Sequence, residues 1–403
     1  MARLIIFLFL TIVASVYTQC TIDNAQRFFK RSVYDFSVIL AGRLSQDTEG
    51  HFVASGLSTW SLLSTISLGA TRDTLSEIAY VLRMHPNKCF SDKYNQIANK
   101  MISSSGTVLE RSAAVLVDTK LDVYQDFITD VAKTRVCTVE QLSFTDALYT
   151  AAYVNDLVSK ATHEAIDEIV TSTDIDGASL LIIDALYFKG AWKYQFPYSD
   201  TEISAFYNDR GEQVGDVNLM YMNGVFNVTS VKQLQARVLE MPYGEENRFS
   251  MLIILPNTDV TINNVIDNLS LISLRTIFVL FSRHEPENVA VQLPRFKISS
   301  DINNLKELLM DMNLRKMFDS SEAQFDALAS DPELFVSNLI QKADIEVTED
   351  GTVASAVSEA EFESRMLPPQ FVVNKPFVFM IVDRDTEIPL FTGAYSTPTE
   401  NVF

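Results

Sequence analysis

Apolar residues near the start of the chain recur at spacings of three and four. Phe29, Val33, Phe36, Leu40 and Leu44 fall on one stripe of a helix. The segments from Ser58 to Leu68 and from Thr74 to Leu82 keep the same period, so the N-terminal part reads as helical. From about residue 179 the pattern changes. Leu180 to Phe188 and Phe249 to Leu255 are nearly unbroken apolar runs of strand length, as expected of strands covered on both faces, and Pro256 with Asn257 closes the second. Val289 to Leu293, Ala343 to Val347 and Phe377 to Val382 add further strands. Helices first and strands later predict an α+β fold, with N-terminal helices on a large central β-sheet and further β-sheets.

The strand that ends near Thr348 leads into an unusual segment. Ala343, Ile345 and Val347 alternate with Asp344, Glu346 and Thr348, which gives one buried and one wet face. Glu349-Asp350-Gly351 then interrupts the strand. A short hairpin would be ordinary there, yet some seventeen residues separate Asp350 from Pro368-Pro369. In an extended chain Thr352, Ala354, Ala356, Ser358, Ala360 and Phe362 share one face, and none is charged. The opposite face holds Val353, Ser355, Val357, Glu359, Glu361 and Glu363. A permanently exposed loop has no reason to keep a period of two, whereas a segment that must at some moment become a strand does. A charge at Ala354 or Ala356 would then be buried unpaired, at a cost of several kcal/mol.

Composition and charge narrow the setting. Gly and Pro are sparse (13 and 12) and scattered, with no linker and no internal repeat, so the 403 residues read as one domain. Arg3, the apolar stretch Leu4 to Val13 and the small residues Ala14 and Ser15 have the layout of a secretory signal, so residues 1–20 are expected to be a leader cleaved at about 15–20 and the domain to span 21–403. Of the three cysteines Cys20 can leave with the leader; Cys89 and Cys137 are then either one disulfide or free buried thiols. Asn227 and Asn268 each open a glycosylation sequon. The net charge of -20 speaks against nucleic acid and anionic membranes as partners, and by the same reasoning against a glycosaminoglycan cofactor. Between Arg83 and Lys100 the basic residues are interrupted by acidic and apolar ones, as on a solvated face.

Catalytic apparatus is missing. There is no glycine-rich phosphate loop, Cys-x-x-Cys, Gly-x-Ser-x-Gly elbow or His-Glu-x-x-His, and His163-Glu164 lacks the second histidine. His51, His85 and His284 stand apart from other ligand types, so neither a metal nor any other cofactor is expected.

The segment Glu349-Asp350-Gly351-Thr352-Val353-Ala354-Ser355-Ala356 resembles the hinge of inhibitory serpins. Asn374-Lys375-Pro376-Phe377-Val378-Phe379 and Pro389-Leu390-Phe391-Thr392-Gly393 resemble their C-terminal strands. Leu186 to Trp192, followed by Phe196, Thr201 and Phe206, is similar to the central family signature, as are Ser67-Leu68-Gly69-Ala70 with Thr74 and Leu293-Pro294-Arg295-Phe296 to others. The likeness covers roughly residues 28–398. It implies the serpin fold with an exposed reactive-centre loop at about 349–369, and a metastable sheet that the loop enters once a protease has attacked it. Family spacing puts the cleaved bond fourteen residues beyond the hinge glycine and just ahead of Pro368-Pro369, at Arg365-Met366, and both rulers agree.

The implied function is a secreted, monomeric suicide-substrate inhibitor of trypsin-like serine proteases, not an enzyme, whose hinge is Glu349, Gly351, Thr352, Ala354 and Ala356. Glu359, Glu361, Phe362, Glu363 and Ser364 would modulate specificity, although the glutamates are equally read as keeping the loop soluble. Ser55, Ser58, Asp184, Trp192 and Gln341 would govern sheet opening. Gly56, Asp184 and Gln341 stand where the family usually has Pro, Asn and His, and Leu157 replaces a usual Trp, so the energetics of opening could differ. The alternative is a non-inhibitory serpin that binds or carries a ligand; such chains spoil the hinge with bulky, charged or proline residues, which this hinge lacks.

Overall fold

A computed structural model describes residues 19–102, 107–350 and 368–398. The stripe of the first helix, α1 (Ile22–Asp47), begins at Thr21, whose hydroxyl accepts from the Asn24 amide. Strand β1 (Phe52–Ala54) leads to α2 (Gly56–Ile66), which Ser55 caps in the same way and which is buried on all sides. Helices α3 (Arg72–Val81) and α4 (Cys89–Ile102) complete the helical N-terminal part. Strand β2 (Thr107–Asp118), helix α5 (Gln125–Thr134), strand β3 (Thr138–Leu142), helix α6 (Ala147–Ala161) and the short α7 (Ser172–Ile175) bring the chain to β4 (Leu180–Gly190). Next come β5 (Glu202–Tyr207), β6 (Gln213–Val231), β7 (Ala236–Pro242) and β8 (Phe249–Pro256). Helices α8 (Ile262–Leu269) and α9 (Leu274–Phe281) precede β9 (Glu287–Pro294) and β10 (Phe296–Ile302). The rest is α10 (Leu305–Asp311), β11 (Asn338–Val347), β12 (Gln370–Val372), β13 (Phe377–Asp383) and β14 (Ile388–Tyr395).

Each strand expected from an apolar run forms. Helices predominate only to residue 102, with the three-residue β1 among them, because β2 and β3 then intervene. Glu110 and Arg111 break the alternation of β2, which hides it among the helices.

The strands make two sheets. One has five strands in the order β10-β11-β4-β2-β3, and the other has nine along β1-β14-β13-β8-β7-β6-β9-β12, with β5 on β6. Both faces of the five-stranded sheet are covered, which accounts for the unbroken apolar run in β4. Leu186 and Phe188 of β4, with Val115, Val117, Ala343, Ile345 and Val347, join the main core. Leu181, Ile183 and Ala185 face the other way, with Ala114, Leu116 and Ile340, against Ala151, Val154 and Val158 of α6.

Of the two readings left open for Cys89 and Cys137, the disulfide does not form, and only Cys137 is a free buried thiol. Cys89 bonds to Cys20, with Cα atoms 6.2 Å apart, while Cys137 is free and buried. Cys89 opens α4 beside the segment that enters α1, whereas Cys137 follows α5 and points into the core. Burial pushes the Cys137 thiol up to about 12, because a thiolate there would lose its hydration. The unreduced folded chain is therefore expected to take up no iodoacetamide, and the unreduced chain in denaturant to take up one equivalent, at Cys137, by peptide mass mapping. Labelling of Cys20 or Cys89 without reduction would overturn the pairing.

Candidate functional site

Of the functional residues expected from the sequence, Ser55, Ser58, Asp184, Trp192, Gln341 and Glu349 gather along one seam. β11 and β4 are neighbours and run parallel, with Asn338 opposite Leu181, Gln341 opposite Asp184 and Glu346 opposite Lys189. The chain leaves β11 at Val347, so any strand formed by the residues that follow must run back, antiparallel to β11. It would then be antiparallel to β4 as well. One such strand between the two would replace a parallel pairing by two antiparallel ladders, the slightly stronger kind per residue.

The upper end of the seam is pinned at residues 348–350. Glu349 is fully buried and accepts from Arg295 Nε at 2.9 Å, from Arg295 Nη2 and from Thr201 Oγ1 at 2.7 Å. Burial alone would raise the Glu349 pKa, but the hydrogen bonds and charge supplied by Arg295 and Thr201 outweigh it, and the carboxyl is held below its usual range. The backbone is held too. The Thr348 carbonyl accepts from Trp192 Nε1 at 2.8 Å, the Asp350 carbonyl from the Trp192 amide at 3.1 Å and the Glu349 carbonyl from the Phe196 amide at 3.2 Å. Trp192 stacks on Tyr243 with ring centroids 4.3 Å apart. Trp192 and Glu349, predicted separately, thus belong to one anchor.

Midway down the seam lies a buried polar cluster. Gln341 accepts from the Ser55 amide at 2.9 Å, and its Nε2 donates to Asp184 Oδ2 at 2.8 Å and Thr59 Oγ1 at 3.0 Å. Ser58 Oγ donates to Asp184 Oδ1 at 2.8 Å, and Ser55 Oγ donates to the Leu390 carbonyl at 2.6 Å. Asp184 has the partners its burial demands. They include Arg111, a residue the sequence reading missed; a lone arginine on the apolar face of β2 was the available signal. Gly56 has a local reason as well, since a Cβ there would come within 2.7 Å of the Ser37 backbone in α1.

Beyond the anchor, Gly351, Thr352, Ala354, Ala356, Glu359, Glu361, Phe362, Glu363, Ser364, Arg365 and Met366 lie outside the described residues. Their far flank is fixed. The Pro369 carbonyl accepts from the Ala290 amide at 3.0 Å, and β12 pairs with β9 in the nine-stranded sheet. Of the two sequon asparagines, both half-buried, Asn227 donates to Glu240 Oε2 at 2.8 Å within β6 and β7, and Asn268 lies in the last turn of α8.

The family model described as Serpin (serine protease inhibitor) matches residues 31–398. The chain belongs to the serpin family. Glia-derived nexin of Homo sapiens is 33% identical over 347 residues, spanning 84% of this chain and 85% of the relative. Serine protease inhibitor 2 of Anopheles gambiae is 33% identical over 267 residues, 64% of each chain. The crystal structure of native protease nexin-1 with heparin superposes with a TM-score of 0.81 at 29% identity, covering 93% of this chain and 100% of that one. The serpin fold expected from the motifs is therefore the fold observed, and its family is one of protease inhibitors. That a serpin of this similarity was crystallised with heparin removes the ground for expecting no glycosaminoglycan cofactor, because a whole-chain charge says nothing of a local basic patch.

Proposed function

We propose that this serpin is exported and acts as a suicide substrate of trypsin-like serine proteases, with Arg365-Met366 as the bait bond. The carrying observation is the direct parallel pairing of β4 and β11, next to a following sequence written for an antiparallel strand between them. Arg365 suits a protease with an acidic specificity pocket. The protease serine attacks the Arg365 carbonyl carbon and forms an ester, the Arg365-Met366 peptide bond breaks, and the new Met366 amine leaves with a proton from the protease histidine. Insertion of the segment from Thr352 to about Phe362 between β4 and β11 then carries the acylated enzyme away and distorts its site before water completes hydrolysis. The serpin supplies stored strain and no catalytic group. Glu359, Glu361 and Glu363, on the face that would stay outward, favour proteases whose cleft is rimmed by basic residues. A leader that ends before Cys20 would leave the Cys20–Cys89 bond in the exported chain.

Chain recovered from culture medium and mixed with trypsin is expected to give a covalent complex that survives boiling in detergent. Arg365→Ala should give none. Clean cleavage of the natural chain with no complex would overturn the inhibitor reading in favour of a binding or carrier serpin, and absence of the chain from the medium would overturn export.

A further inference from the structure

Asp184 is fully buried on the inner face of β4, where a carboxylate is costly unless its charge is met close by. Three side chains converge on it from different parts of the fold. Arg111 Nε, from β2, lies 3.0 Å from Oδ1; Ser58 of α2 donates to the same oxygen; Gln341 of β11 donates to Oδ2 at 2.8 Å. Among the described residues Arg111 is the cation paired with Asp184, and its side chain is only 7% exposed. Arg111 Nη1 donates to the Val136 carbonyl at 2.7 Å, while Nη2 is buried with no partner among the described residues. The position therefore does not satisfy Arg111 itself. What it satisfies is Asp184.

The arrangement acquires meaning when its members are sorted by side of the seam. Arg111 and Asp184 stand on β2 and β4, antiparallel neighbours on one side, with Arg111 opposite Leu186 and Ala113 opposite Asp184. Gln341 stands on the other side, on β11. Parting β4 from β11 leaves the ion pair whole and breaks the bond from the neutral Gln341 amide to the Asp184 carboxylate; because α2 is bonded to both strands, either Ser58 then parts from Asp184 or Ser55 and Thr59 part from Gln341. A lone Asp184 would behave differently, since the opened sheet would hold an uncompensated charge.

We propose that Arg111 is a positioning residue for loop insertion. It holds Asp184 toward Gln341, so that a charge-assisted hydrogen bond closes the seam of the uncut chain, and it stays paired with Asp184 when the seam opens. The competing account is that apolar packing of Ala343 and Leu186 closes the seam and Arg111 only fills space. This inference rests on the insertion reading, yet seam closure belongs to the uncut chain and is measurable without any protease.

The experiment is hydrogen exchange of full uncut chain, read by mass spectrometry on peptides covering residues 180–190 and 338–347, for Arg111→Lys, Arg111→Met, Asp184→Asn and the double variant Arg111→Met/Asp184→Asn. Arg111→Met and Asp184→Asn alone should each exchange at least about tenfold faster in both strands, because each strands the other partner's polar group or charge. Arg111→Lys, which keeps the charge, and the double variant, which removes both charges together, should stay within about threefold of the natural chain. Wild-type exchange in Arg111→Met, or a double variant as fast as Arg111→Met, would overturn the proposal and leave space-filling. If Arg111→Met does not fold, the double variant decides: a folded double with slow exchange supports the pair, and a double that also fails to fold refutes it. Should insertion itself be wrong, the chain cut in its loop would gain no heat resistance while these exchange results stood unchanged.

Discussion

Thr352→Arg is expected to turn the inhibitor into an ordinary substrate: trypsin should cut the variant at Arg365 at the natural rate, release it, and form almost no covalent complex. Thr352 opens the uncharged face of the segment, the face that an inserted strand would turn toward Leu186, Phe188, Ile345 and Val347. A guanidinium there would be buried without a partner, at a cost of about 3–5 kcal/mol. On the proposed mechanism, inhibition is a race between insertion and deacylation. If the whole cost falls on insertion, about 1.4 kcal/mol per factor of ten slows it by two to three orders of magnitude, and hydrolysis wins. Band intensities for complex and cleaved chain on a denaturing gel read the outcome directly. A variant that still traps trypsin as fully as the natural chain would mean that the hinge does not enter the sheet.

The second large effect is thermal. Chain cut once near Arg365 is expected to melt well above the uncut form. A strand from Thr352 to about Phe362 between β4 and β11 adds two antiparallel ladders in place of one parallel pairing, on the order of ten further backbone hydrogen bonds at about 1 kcal/mol each. For a domain of this size a kcal/mol is worth roughly 1–2 °C, so the gain should be about 10–20 °C. Calorimetry of cut and uncut chain gives the answer. Equal melting temperatures would remove the stored energy on which trapping depends.

How much of this was legible in the sequence follows from how each residue is buried. β4 and β8 were plain because both faces are covered, so that nearly every position is apolar, Asp184, Lys189 and Ser250 excepted, and no period is needed. The stripe of α1 was equally plain, since Phe29, Val33, Phe36, Leu40 and Leu44 all face the core. β2 was not, because the charges that obscure it, Glu110 and Arg111, are paired by partners remote in sequence: His163 for the first and Asp184 for the second. The same remoteness hid the disulfide, whose cysteines are 69 residues apart and meet only because α1 and α4 pack together. Periodicity located the segment after Glu349, but family likeness named Trp192, Thr201, Arg295 and Glu349 only in separate motifs, and the structure joins them into one anchor. Its members come from three separate stretches that no local pattern joins.

The stitching of Pro369 and β12 to β9 decides what a protease can set free. From β12 the described chain leads into β13 and β14, whose residues are all buried in the interior of the nine-stranded sheet. Those two strands form a hairpin flanked by β8 on one side and β1 on the other. On the proposed mechanism the peptide downstream of the cut would stay lodged through β13 and β14 in the nine-stranded sheet. The spent molecule would then be two peptides travelling as one particle, with only the enzyme-bearing end drawn into the other sheet.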